Sequence, residues 1–195
     1  MNMSDCDFEI VVRRSSMAQG ILTSIIVISF VAFICQSLSF AMPGWISYDK
    51  VGSNDTSFEG LWLNCPTGWG SCKNALENRT VSVHDATDLT LWVTQSYGVL
   101  GILLAIISCL GGCICCDESP AGVASSVFNF GAGFSIVIGL VVYGVRYEEI
   151  IRLQPDILSA SLDYCFWLSV VASVLALFAA LLGLCSTDRY YKYKE

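Results

Sequence analysis

Four long stretches of this chain contain no Asp, Glu, Lys or Arg: residues 15–48, 89–116, 119–145 and 164–187. Each exceeds the roughly 20 apolar helical residues that cross the hydrocarbon core of a bilayer. Together they occupy 113 of 195 residues, so more than half of the chain lies in segments that need no water. Only 14% of residues are charged and 54% are hydrophobic, against about 25% charged in ordinary soluble domains. A soluble enzyme domain, a nucleic-acid-binding module and a disordered tail are set aside on these grounds. The formal net charge is −7 and no basic cluster is available to follow a phosphate backbone, which argues against nucleic acid as a partner. The reading that survives is a four-pass membrane protein with lipid as its main surroundings.

The expected layout is one domain with spans at residues 20–42, 89–116, 121–145 and 164–187. Segment 1–19 precedes them, a turn at 117–120 joins the middle pair, and a tail follows at 188–195. Longer loops fill residues 43–88 and 146–163. The turn Asp117-Glu118-Ser119-Pro120 is short enough to force a helical hairpin, and Pro120 suits the first turn of the third helix. Both termini then share one membrane face and both longer loops the other. Five Lys or Arg fall on each side, so the positive-inside count does not orient the chain. Loop one, however, holds two glycosylation sequons, Asn54-Asp55-Thr56 and Asn78-Arg79-Thr80. It also holds a cysteine pair, Cys65 and Cys72. Glycans on Asn54 and Asn78 and a disulfide both belong outside the cell, so the expectation is a plasma-membrane protein with cytoplasmic termini. A cleaved signal peptide fits the first span less well, because residues 20–41 exceed an ordinary h-region and Asp5, Asp7 and Glu9 spoil the n-region.

The spans contain no Asp, Glu, Lys, Arg or His and no interior proline. Transporters, proton relays and voltage sensors place charges or broken helices at membrane depth; this bundle is expected to be solid. Small residues recur every fourth position, at Gly131, Ser135 and Gly139 and at Ala172, Ala176 and Ala180, a spacing that lets helix backbones pack closely. Packing within the monomer is the expectation for them, with lateral self-association as the alternative. Gln36, Gln95 and Asn129 are expected to hydrogen-bond between helices.

Loop one carries the informative residues. It runs from Pro43-Gly44-Trp45 through Gly60-Leu61-Trp62-Leu63-Asn64-Cys65 and a Pro/Gly turn to Cys72. Residues 60–65 and 72–76 read as two short strands stapled by the cysteines, and residues 80–83 alternate as an edge strand does. Trp45 suits the interfacial aromatic belt, and Trp62 is a large anchor for packing the loop onto the helix ends.

A Trp after the first span, then Gly-Leu-Trp-x-x-Cys and a second Cys, resembles the signature of the claudin superfamily. That group includes peripheral myelin and epithelial membrane proteins and gamma-type channel subunits. The resemblance rests on Trp45, Gly60, Leu61, Trp62, Cys65 and Cys72. It implies a membrane all-α fold with a small β part: a left-handed bundle of four transmembrane helices capped by an extracellular antiparallel sheet from the first outer loop. It implies a cell–cell junction or adhesion role, forming a paracellular barrier or pore, with homo-oligomers associating laterally or face to face. The alternative is an auxiliary gamma-type subunit partnered with an ion channel or receptor. Sequons in loop one are more typical of the myelin-protein and channel-subunit branches. The tail ends Tyr-Lys-Tyr-Lys-Glu, without the hydrophobic residue that a PDZ scaffold captures by strand addition.

Six carboxylates and three cations give loop one a balance of −3, a sign that concentrates cations; Glu59 and Glu77 are the expected selectivity residues. Cys113, Cys115, Cys116 and Cys185 sit where spans two and four meet the cytoplasm and are candidates for palmitoylation. The three thiols Cys113, Cys115 and Cys116 have no fourth ligand evident nearby for zinc, so neither a metal nor a cofactor is expected. His84 is the sole histidine and enters no nucleophile–base pair or metal-ligand spacing; no enzyme is expected.

Overall fold

Without charges to solvate, each of the four runs forms a helix: α1 (Asp5–Ala41), α2 (Asp85–Cys115), α3 (Glu118–Leu153) and α4 (Tyr164–Tyr191). The computed structural model describes residues 5–52, 55–74, 85–115, 118–153 and 157–191. Stretches long and apolar enough to cross a membrane lie at Gln19–Ala41, Leu89–Gly112, Ala121–Glu148 and Tyr164–Cys185. The helices form a ring in which α1 packs on α2 and α4, and α3 on the same two, with α1 and α3 across the diagonal.

Their outward faces are apolar at helical spacing: Val27, Phe30, Ile34 and Leu38 on α1, and Trp167, Val171, Val174, Phe178 and Leu181 on α4 are exposed. So much exposed apolar surface would aggregate in water; against acyl chains it costs nothing. The inward faces carry small residues and polar side chains. Ala172, Ala176 and Ala180 are buried, and the Ser135 hydroxyl donates to the Thr94 carbonyl of α2. Gly131, by contrast, faces outward with nothing near it, so it has no part in packing inside the bundle.

Two polar layers cross the interior. Nearer the α2–α3 turn, Asn129 exchanges hydrogen bonds with Ser29 of α1 and donates to Ser125 on its own helix. Nearer the opposite end, the Gln36 amide of α1 donates to the Gln95 carbonyl oxygen of α2. The Ser169 hydroxyl of α4 lies 3.1 Å from Gln36 Oε1 and 3.2 Å from Gln95 Oε1. The Gln95 amide nitrogen occupies the space where a Cβ on Gly139 of α3 would stand. All four helices therefore meet in this layer.

Between α1 and α2 the chain makes four strands, β1 (Ile46–Lys50), β2 (Thr56–Glu59), β3 (Leu63–Cys65) and β4 (Lys73–Asn74), with a 3-10 turn at Trp69–Ser71 before the last. A fifth, β5 (Ile157–Leu162), comes from between α3 and α4. The antiparallel sheet has the order β4-β3-β2-β1-β5, so both longer connections lie at one end of the bundle. Three expectations need correction here. The strand expected at residues 60–65 begins only at Leu63, because Gly60, Leu61 and Trp62 turn inward onto the helix ends. The second connection is not a loop from residue 146: α3 continues to Leu153, with no proline until Pro155 to stop it. The sheet is also not built from the first connection alone, since β5 completes it. The edge strand expected at residues 80–83, with His84 beside it, lies outside the described residues.

Candidate functional site

Three features built from the motif residues shape the cap: two fix it to the bundle, and the third closes it on itself. The first is Trp45. Its backbone N–H donates to the Glu59 carbonyl and its carbonyl accepts from Asp163, so it pairs with chain from both connections. The indole N–H donates to the Ser39 carbonyl at 2.7 Å, and the ring packs on Tyr143 of α3 and Phe166 of α4 at 4.6 and 6.1 Å. Trp45 is 0% exposed. It is a core residue and not a member of a lipid-facing belt, because its one polar atom is satisfied inside. Beside it, Ser39 donates to the Cys165 carbonyl and Cys165 N–H donates to the Gly44 carbonyl, tying the exit of α1 to the entry of α4.

The second point is Gly60-Leu61-Trp62. Gly60 N–H donates to the Leu63 carbonyl, closing a turn. This turn lies directly on the α1 exit: a Cβ on Gly60 would stand 2.5 Å from Pro43 Cα, so only glycine fits. Leu61 is buried, and its carbonyl accepts from the Trp92 indole of α2 at 3.1 Å. Trp62 stacks on Trp92 with ring centroids 4.9 Å apart and meets the Phe40 ring edge-on at 5.1 Å. The glycine gives close approach, the leucine burial, and the tryptophan a wedge between α1 and α2.

The third feature, internal to the cap, is the Cys65–Cys72 disulfide, which closes a turn seven positions long. Inside it, Gly68 has φ 76°, which favours glycine. The Ser71 hydroxyl accepts from Thr67 N–H and donates to the Gly68 carbonyl. Ser57 of β2 donates to the Pro66 carbonyl at 2.7 Å.

The pairing register separates two faces of the sheet, since directly opposed residues share a face. Ile46, Tyr48, Ser57, Glu59, Ala160 and Leu162 lie on the inner face, towards Tyr143 and Tyr147 of α3. Ser47, Asp49, Thr56, Ser159 and Ser161 lie on the outer face. Tyr147 donates to the Ala160 carbonyl. Burial, and after it the charge of Glu59, pushes the Tyr48 phenol above its ordinary value of 10.0, and Lys50 Nζ lies 5.4 Å from the Tyr48 ring centroid. Glu59, expected to face permeating ions, is half-buried beneath the sheet. At Asp49/Lys50 the register with β5 shifts, and this irregularity throws Leu158 outward at 70% exposure.

Asn54, Asn78, Glu77 and Cys116 lie outside the described residues. Cys113 and Cys115 fall in the last turn of α2, and Cys185 is exposed near the same end of α4. Ser39, Trp92, Tyr143, Asp163 and Phe166 carry much of the anchoring and were not singled out from sequence. An aromatic near the end of each later span was the one available signal.

A family model described as PMP-22/EMP/MP20/Claudin family matches residues 18–183. The chain belongs to that family. Among curated relatives, Claudin-4 of Chlorocebus aethiops is 28% identical over 139 residues, covering 67% of this chain and 65% of the relative. Claudin-4 of Canis lupus familiaris is 29% identical over 134 residues, covering 64% and 62%. The chain thus spans a little under two thirds of the length of the curated relatives it matches. Family membership accounts for the joint occurrence of four spans, the Gly-Leu-Trp wedge and the sheet.

Proposed function

We propose that the protein acts at cell–cell contacts, forming or regulating a paracellular barrier or pore through the cap, with the cap extracellular and both termini cytoplasmic. The observation that carries this reading is the stitching of both longer connections into one sheet anchored by Trp45 and Trp62. It gives a preformed surface on a bundle whose interior is filled by packed side chains and two polar layers. A preformed surface suits association, since little ordering is left to oppose it. A filled interior suits a path between molecules better than one through a single molecule. Likeness to Claudin-4 supports the same reading. Lipid and further copies of the chain are the partners it needs.

The test is expression in an epithelial monolayer, with enrichment at lateral contacts and a change in transepithelial conductance as the expected result. Uniform surface staining and unchanged conductance would sink it. The two sequons favour a second reading, an auxiliary channel or receptor subunit, because a glycan on the cap crowds a face-to-face seal. A stoichiometric channel co-purifying from native membrane would select that reading. A mass shift on enzymatic deglycosylation tests Asn54 and Asn78, and a hydroxylamine-sensitive shift tests acylation of Cys113, Cys115, Cys116 and Cys185.

A further inference from the structure

We propose that the outward face of α2 pairs with the same face of a second copy in the same membrane, and that the Ser96 and Tyr97 hydroxyls close this pair at membrane depth. Such a pair can form whether or not the cap seals a path, so it goes beyond the barrier-or-pore reading. Ser96 and Tyr97 follow buried Gln95 and precede buried Gly98, yet both are exposed, Tyr97 at 63%. They stand seven and eight positions into the span that opens at Leu89, about 10 to 12 Å along the helix axis. Neither hydroxyl has a hydrogen-bond partner among the described residues. Three other outward hydroxyls of the spans are bonded to their own helix: Thr23 donates to the Gln19 carbonyl, Ser24 to the Gly20 carbonyl and Ser108 to the Leu104 carbonyl. Hydrocarbon offers a bare hydroxyl no partner, so Ser96 and Tyr97 mark a place where an acyl chain is a poor neighbour.

The spacing on this face suits a second copy. Val93, Leu100 and Ile107 recur every seventh residue, as do Ser96, Leu103 and Leu110, and all six are exposed. That repeat is the seam of a left-handed pair of parallel helices. Two copies inserted in the same orientation present it to each other about a two-fold axis, so the same patch serves on both sides. In that register Ser96 meets the partner's Ser96 and Tyr97. A hydroxyl both donates and accepts, so the axis satisfies these groups reciprocally, and the small serine lets the two backbones approach. A phospholipid ester oxygen only accepts and lies at the span ends, which leaves Ser96 bare.

The experiment places the full chain, labelled at its C-terminus with a donor or an acceptor fluorophore, in phosphatidylcholine vesicles and follows energy transfer as lipid dilutes the protein. The unmodified chain is expected to pair. Ser96→Ala and Tyr97→Phe should each raise the mole fraction at half-dissociation about threefold, and the double variant about tenfold. Thr23→Val on α1 and Phe178→Leu on α4, at other lipid-facing positions, should leave it unchanged. Both α2 hydroxyls point away from the bundle, so the double variant should keep the thermal midpoint of the unmodified chain in dilute vesicles. If the double variant fails to fold, Leu103→Ala, which thins the seam without touching a hydroxyl, takes its place and should weaken pairing likewise. A pair that the folded variant does not weaken, one weakened equally by the α1 and α4 changes, or an unmodified chain that stays monomeric overturns the assignment. Monolayer conductance is read separately, so each of those results leaves the barrier-or-pore reading standing.

Discussion

Gly60 and Gly44 both sit where a side chain has no room, but the obstacles differ. At Gly60 a Cβ would press on Pro43 Cα and the Met42 carbonyl oxygen, which are backbone. At Gly44 it would press on the outer atoms of the Tyr164 ring, the nearest at 2.3 Å, and a ring can swing aside. Gly60→Ala should therefore cost about 3 kcal/mol and Gly44→Ala about 1 kcal/mol, read as midpoints of thermal unfolding in detergent; equal shifts would show that the α1 exit adjusts freely. Tyr48 supplies a pH dependence. Its folded pKa is raised, so the neutral phenol is favoured in the fold and its stabilisation is complete below about pH 10. That contribution fades as pH climbs above this value through the raised pKa. Tyr48→Phe should remove the extra loss of cap stability in that alkaline range, and an unchanged alkaline profile would count against it. The signature residues could be recognised from order and spacing alone. Their partners could not: nothing in a linear sequence says that Trp45 lies on Tyr143 and Phe166.

Helices and strands differ in how far sequence announces them. The spans are long and uniformly apolar, so their existence followed from bilayer thickness. The strands β1, β2 and β5 are short and rich in Ser, with no clean alternation, and β5 finds its partner far away: Ser47 and Ser161 are 114 positions apart. Non-local pairing of that kind leaves no local trace. Glu59 shows the consequence for the candidate site, since a carboxylate count could not tell which face of an unrecognised sheet it would occupy. Between helices, the Gln36–Gln95 contact is open to a double-mutant cycle. Each single change to Leu breaks the amide–amide bond and leaves the other amide only the Ser169 hydroxyl at its oxygen, whereas changing both removes the two amides together and leaves Ser169 alone to re-pair. The double variant should be more stable than the sum of the singles implies, by about 1 kcal/mol. Strict additivity would show that the layer contributes nothing to helix pairing.

At the scale of the whole molecule, the two connections are one body on four helices, and in the proposed role that body is the surface offered to partners outside the lipid. The β1–β5 pairing also has a meaning for biosynthesis. With the cap outside, as proposed, the Cys65–Cys72 link, which spans seven positions, can close as soon as loop one has crossed the membrane, but β1 lacks its neighbour until residues 157–162 follow α3. A chain stopped at residue 153 should therefore form the disulfide and yet leave its loop open to protease, whereas a chain containing β5 and α4 should resist. Translation into microsomes with non-reducing gels and limited proteolysis compares the two, and early resistance in the shorter chain would contradict the order. Until β5 arrives, the free edge of β1 is an open strand edge, and access of protease to loop one reports whether the second connection has paired.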